Sequence, residues 1–121
     1  MSTCERKSTP SSITVSALEK SDPRDAGVWS AKVLSSKSSS EQAHVAVVDA
    51  VLASAKEKGP IRCTFSEGGE PGGLRFQRAD GAKVYVFGTR GVAQSGDCYD
   101  VDAADQEKLR GLAKTLGVAA P

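Results

Sequence analysis

At 121 residues the chain suits one compact domain. Hydrophobic residues make up 39% of it but aromatics only 5%, so a core is affordable and has to rest on Val, Leu, Ile and Ala. With 16 basic and 15 acidic residues the net charge is +1, which argues against recognition of duplex DNA or of an anionic membrane through bulk electrostatics.

Along the chain, residues 1–11 are Ser, Thr and charge with one Pro, the composition of a disordered tail, and residues 12–118 are expected to form a single domain. Ile13, Val15 and Ala17 alternate with Thr14 and Ser16, which predicts a strand. Asp22-Pro23 and Gly27 mark a connector. A second strand is read over residues 28–34, with Trp29, Ala31 and Val33 on one side, and the run "SSKSSS" after it is read as a polar loop. His44, Val47, Val48, Val51, Leu52 and Ala55 then recur at three- and four-residue spacing, the pattern of an amphipathic helix. A capping box, either Ser39 with Gln42 or Ser38 with Glu41, would start that helix, and Gly59-Pro60 would end it. Ile61, Cys63 and Phe65 against Arg62, Thr64 and Ser66 predict a third strand.

"GGEPGG" is read as a flexible loop, and "LRFQRADGAKVYVFGTRG", Leu74 to Gly91, as two strands around a turn. The stretch "RGVAQSGDCYDV" is expected to be irregular, with "VAQ" able to add a short edge strand. A second helix is predicted with Leu109, Leu112, Ala113 and Leu116 on one face, Asp102 as N-cap and Gly117 as stop. The expected architecture is therefore α+β, order β-β-α-β-β-β-α, with an antiparallel sheet of about five strands and both helices on one face. The other sheet face would be left to solvent or to a partner.

The register of the Leu74–Gly91 hairpin decides which side chains that face carries. A two-residue Asp80-Gly81 loop would oppose Arg78 and Lys83 and would mix polar with apolar side chains. A three-residue loop with Gly81 in the left-handed region puts Leu74 and Phe76 beside Val84 and Val86, all apolar. Arg75, Gln77, Lys83, Tyr85 and Phe87 then look outward together with Arg62 and Thr64. This is a basic patch with two aromatics, suited to stacking planar groups or docking an acidic, partly apolar partner. The competing reading is that other parts of the chain cover Tyr85 and Phe87.

Other chemistry is thinly provided. Cys4, Cys63 and Cys98 are odd in number and widely spaced, with no CxxC, and so do not read as a disulfide framework. With His44 the only histidine, a zinc site would be short of ligands. His44 and Cys63 could pair as base and nucleophile, but Cys63 is placed between apolar strand positions, where it would be buried and inert. Asp97, Asp100, Asp102 and Asp105 lack the spacing of a calcium loop, and acids ahead of a helix are favoured by its dipole anyway. "GGEPGG" and "GTRG" match no phosphate-binding loop. "KVYVFG" loosely resembles the base-stacking sheets of RNA-recognition domains, without their full motif. The polar start of the chain has no apolar signal region and no segment approaches the ~20 apolar residues of a membrane helix, which points to a reducing, cytoplasmic setting.

The element order resembles that of longin domains and is close to roadblock and profilin-like domains, small scaffolds that bind other proteins. The resemblance implies no particular functional residue. The functional expectation is a non-enzymatic protein-interaction or regulatory module. Its docking surface would be Arg62, Arg75, Gln77, Lys83, Tyr85 and Phe87, with Arg90 in the neighbouring loop. The partner would be another protein or a second copy of the chain, with no catalytic residues, cofactor or metal assigned. Single-stranded nucleic-acid binding by the same face is the second expectation, and a small enzyme using Cys63 and His44 the third.

Overall fold

The structure is a computed structural model and describes residues 12–20, 31–63 and 73–119. The expected N-terminal tail, the Asp22-Pro23 connector, Trp29, Thr64, Phe65 and most of "GGEPGG" lie outside the described residues. The elements are β1 (Ile13–Lys20), β2 (Ala31–Ser39), α1 (Gln42–Glu57), β3 (Gly73–Arg78), β4 (Lys83–Phe87), β5 (Arg90–Ser95), β6 (Asp97–Asp100) and α2 (Ala103–Leu116). The strands form one antiparallel sheet in the order β2-β1-β3-β4-β5-β6. The α+β class is as expected, with six strands rather than about five.

The β3–β4 hairpin takes the register that the apolar pattern selects. Leu74 pairs with Val86, Phe76 with Val84, Arg75 with Tyr85 and Gln77 with Lys83. The loop is Ala79-Asp80-Gly81. It is closed by a bond from the Arg78 amide to the Ala82 carbonyl, and Gly81 adopts φ +98°. Asp80 Oδ1 accepts from the Ala82 amide at 3.0 Å, so the turn's own side chain braces its exit.

Three elements differ from the sequence expectation. The run "SSKSSS" is not a loop, because β2 continues to Ser39 and pairs with β1 throughout. Hydroxyls, rather than an apolar stripe, face each other along this pair, Thr14 with Ser38 at 3.0 Å and Ser16 with Ser36 at 3.3 Å. A register shift between Ala17 and Leu18 leaves Leu34 without an opposite residue, the geometry of a bulge. Of the strand expected at Ile61–Ser66, the described part, Ile61–Cys63, makes a single bridge, Ile61 to Cys98. The stretch expected to be irregular is a tight hairpin, β5–β6, that turns at Gly96 with φ +74°.

One face of the sheet carries Ile13, Val15, Ala17, Leu74, Phe76, Val84, Val86 and Ala93, packed against both helices in one apolar cluster. From α1 come Val45, Val48, Val51, Leu52 and Ala55, and from α2 Leu109, Leu112 and Ala113. Four of the five α1 residues lie on the stripe read from the sequence, while Val45 replaces His44 and Val47 as a fully buried position. The expected capping box is absent: Glu41 is the N-cap and makes no side-chain cap bond. Asp102 caps α2 as expected, with Oδ1 accepting from the Asp105 amide at 2.9 Å, and Gly117 ends the helix in the left-handed conformation. The two helices meet end to end where Lys58 Nζ reaches Asp102 Oδ2 at 3.3 Å.

Candidate functional site

The outer face of the sheet, opposite the helices, is where the sequence places a docking surface, and the register divides that face into rows. One row runs Leu18, Gly73, Phe87, Arg90. The next runs Ser16, Arg75, Tyr85, Val92, Asp100, and the last Thr14, Gln77, Lys83, Gln94, Cys98.

The expectation that Tyr85 and Phe87 face solvent is corrected. Tyr85 is 2% and Phe87 4% exposed, and with Leu18 they form a second apolar cluster. Their rings stack at 5.7 Å, with 11° between planes. Gly73 makes room for this packing, since a Cβ there would overlap the Val86 carbonyl and the Phe87 ring. The physical reason is that two adjacent aromatics on one strand carry too much apolar area to stay wet, so both sides of β4 are buried. The inner row of Val84 and Val86 is buried as expected.

The remaining members of the expected patch fall into two groups. Arg75, Gln77 and Lys83 are half-buried in the outer rows, whereas Arg62 and Arg90 are exposed at the sheet's margins. The polar row Thr14–Gln77–Lys83–Gln94 stays open to solvent in part, and it crosses the sheet from Ser38 on β2 to Cys98 on β6.

The two residues read as base and nucleophile are each engaged elsewhere. Cys63 is exposed rather than buried, and its sulfur is bonded to Cys98, whose own residue is 1% exposed. This corrects the reading that the cysteines form no disulfide. The pair is 35 residues apart in sequence with Cα atoms 5.4 Å apart, a proximity created by the Ile61–Cys98 bridge and by nothing local. His44 Nδ1 lies 2.7 Å from the Ser39 hydroxyl and 3.1 Å from Glu41 Oε2. Because serine and carboxylate address the same ring nitrogen, Glu41 does not orient the ring from its far side as a relay would require. The cluster instead ties β2 to the start of α1, helped by the Glu41 amide donating to the Ser39 hydroxyl.

Among the described residues, no three His, Cys, Asp or Glu side chains converge as a metal site. Of the four aspartates near α2, Asp102 is the cap and Asp105 faces Lys108 at 3.6 Å. The "GTRG" glycine Gly88 forms the β4–β5 turn with φ +60°, and its carbonyl accepts from Arg110. No described helix is long and apolar enough to cross a membrane.

The sequence reading placed a second strand at 28–34 but missed the continuation of β2 through Ser39 and its place at the edge of the described sheet. Its residues 32–38 are all exposed, and it carries Val33 at 47% and Leu34 at 44% exposure between Lys32 and Lys37. Among the described strands it pairs on one side only, with β1. A strand open on both faces has no buried alternation to reveal it, and the one available signal was the succession of serines opposite Thr14 and Ser16. Comparison with known proteins adds no precedent: no family model, curated protein or solved structure matches the chain.

Proposed function

We propose that the chain is a non-enzymatic protein-interaction or regulatory module, of cytoplasmic setting, that accepts an extended segment of a partner along its β2 edge. The observation that carries this reading is the nine-residue β2, hydrogen-bonded on one side by β1 and exposed on its flanks. An edge of this kind offers unpaired amide and carbonyl groups to an incoming strand, while side chains on alternate positions supply selectivity.

The chemistry of the partner follows from the charges. Residues 31–39 contain Lys32 and Lys37 and no acid, so an acidic strand with apolar residues opposite Val33 and Leu34 is complementary. Two copies of β2 paired antiparallel about the Leu34–Ser35 midpoint would oppose Lys32 with Lys37, a like-charge contact that disfavours self-association. Base stacking would require open rings, and the burial of Tyr85 and Phe87 weakens the nucleic-acid reading accordingly.

The test is fluorescence polarisation with two labelled octapeptides, one alternating Glu and Val and one alternating Lys and Val. The acidic peptide is expected to bind, to weaken with added salt, and to be lost in the Lys32→Glu/Lys37→Glu variant, which should take up the basic peptide instead. Equal binding of both peptides, or binding indifferent to that charge reversal, would overturn the β2 site. A dimer seen by light scattering that survives the reversal would assign the edge to a second copy.

A further inference from the structure

At the opposite end of the sheet the other edge strand, β6, is covered by the chain itself. After α1 ends, the segment Gly59–Cys63 runs alongside β6, and the Ile61 amide donates to the Cys98 carbonyl at 2.8 Å. That bridge and the Cys63–Cys98 disulfide are the strap's two links to β6 among the described residues. No strap residue belongs to the apolar core; Ile61 is 41% exposed, and Arg62 and Cys63 are exposed as well. β6 does not depend on the strap for its own position, since four residue pairs join it to β5 and the Val101 amide bonds the Gly91 carbonyl just beyond it. A pivot is also present: Gly59 adopts φ +89° with open space around it, directly after Lys58, which Asp102 holds in place.

We propose that the Cys63–Cys98 disulfide is a redox latch that closes the β6 edge, and that its reduction frees Gly59–Cys63 and uncovers the Asp97–Asp100 edge. The step is thiol–disulfide exchange with a dithiol reductant. Its thiolate attacks the sulfur of Cys63, the exposed residue of the pair, the Cys63–Cys98 bond breaks, and the Cys98 thiolate departs and is protonated. The second thiol of the reductant then displaces Cys63 from the mixed disulfide. Two protein thiols and one reductant disulfide result, a transfer of two electrons and two protons. With Ile61's backbone bond then the strap's one link to β6 among the described residues, the edge opens on the timescale of local unfolding.

The inference does not rest on the β2 site and is tested without a ligand. Amide hydrogen exchange is measured on the full chain carrying Cys4→Ser, which leaves Cys63–Cys98 as the one possible pairing, with and without a dithiol. Protection of the Ile61 amide, the donor of the strap's bond to β6, is expected to fall about tenfold or more on reduction, while that of β6 amides bonded to β5 and of β1 and β3 falls less. Cys63→Ser without reductant should reproduce the pattern. Protection that falls in step across β6 and the central strands, or that does not fall at all, would overturn the latch and leave the disulfide a structural staple.

Discussion

The Val86 carbonyl and the Phe87 ring occupy the space where any side chain at Gly73 would begin, so this glycine is demanded by packing and not by a turn. Gly73→Ala is expected to cost about 2–3 kcal/mol, the range of an overpacked core position, and urea unfolding would measure it. Gly81 is different in kind: its surroundings are open, but its φ of +98° is strained for any L side chain. Gly81→Ala is therefore expected to cost about 1 kcal/mol through the backbone alone, with no change in the hairpin register. At Asp102 the Asp105 amide, aided by Lys58, holds the carboxylate below its ordinary value of 3.8. A depressed folded-state value means that the contribution is complete above that ordinary value and is lost as pH falls through the lower folded one. Asp102→Asn, which keeps a capping oxygen but not the titration, should show a flatter dependence of melting temperature on pH across that acidic window.

At the scale of elements, α1 is a helix rich in β-branched valines whose intrinsic propensity is modest, so its burial has to hold it. Val51→Ala, at a fully buried position, is expected to cost roughly 2 kcal/mol by chemical denaturation, from two lost methyl groups and the space they leave. The helices and the β3–β4 hairpin were legible in the sequence because each has one wet and one buried side, and that asymmetry leaves a period of 3.6 or 2. The second half of β2, Ser35–Ser39, and the β5–β6 hairpin were not. The exposed flanks of β2 tolerate serine at successive positions, and Gly91 interrupts the alternation of β5 because it lies against Val101 and Gln106. The β5–β6 pair is set by its partners, with Val84 across from Ala93 and Val92 across from Asp100.

For the molecule as a whole, the disulfide joins the end of the α1 connector to the sheet's far edge across 35 residues. Closing a loop of that length removes entropy from the unfolded chain worth about 4 kcal/mol. A thermal melt in a dithiol should accordingly show a lower midpoint than one without it. Cys63→Ser should melt near the reduced protein and be indifferent to the reductant. Arg78 provides a second long-range tie: its Nε meets Asp49 Oδ1 on α1 at 2.6 Å, and Nη1 donates to the Ser12 carbonyl at 2.9 Å. The candidate docking surface moved from the sheet's centre to its β2 edge for a reason that operates at this scale. The sequence assigns side chains to faces, but the rest of the fold decides which faces stay wet.

The sequence by itself determined the α+β class, both helices and the pairing of Leu74 with Val86 and Phe76 with Val84. Those features follow from periodic burial, which acts over a few residues and is written in their order. Only the tertiary structure decided that Tyr85 and Phe87 lie beneath the surface, that Cys63 meets Cys98, and that β2 stands at the edge of the described sheet. These depend on which distant segments come together, and contacts between distant segments leave no local period to read.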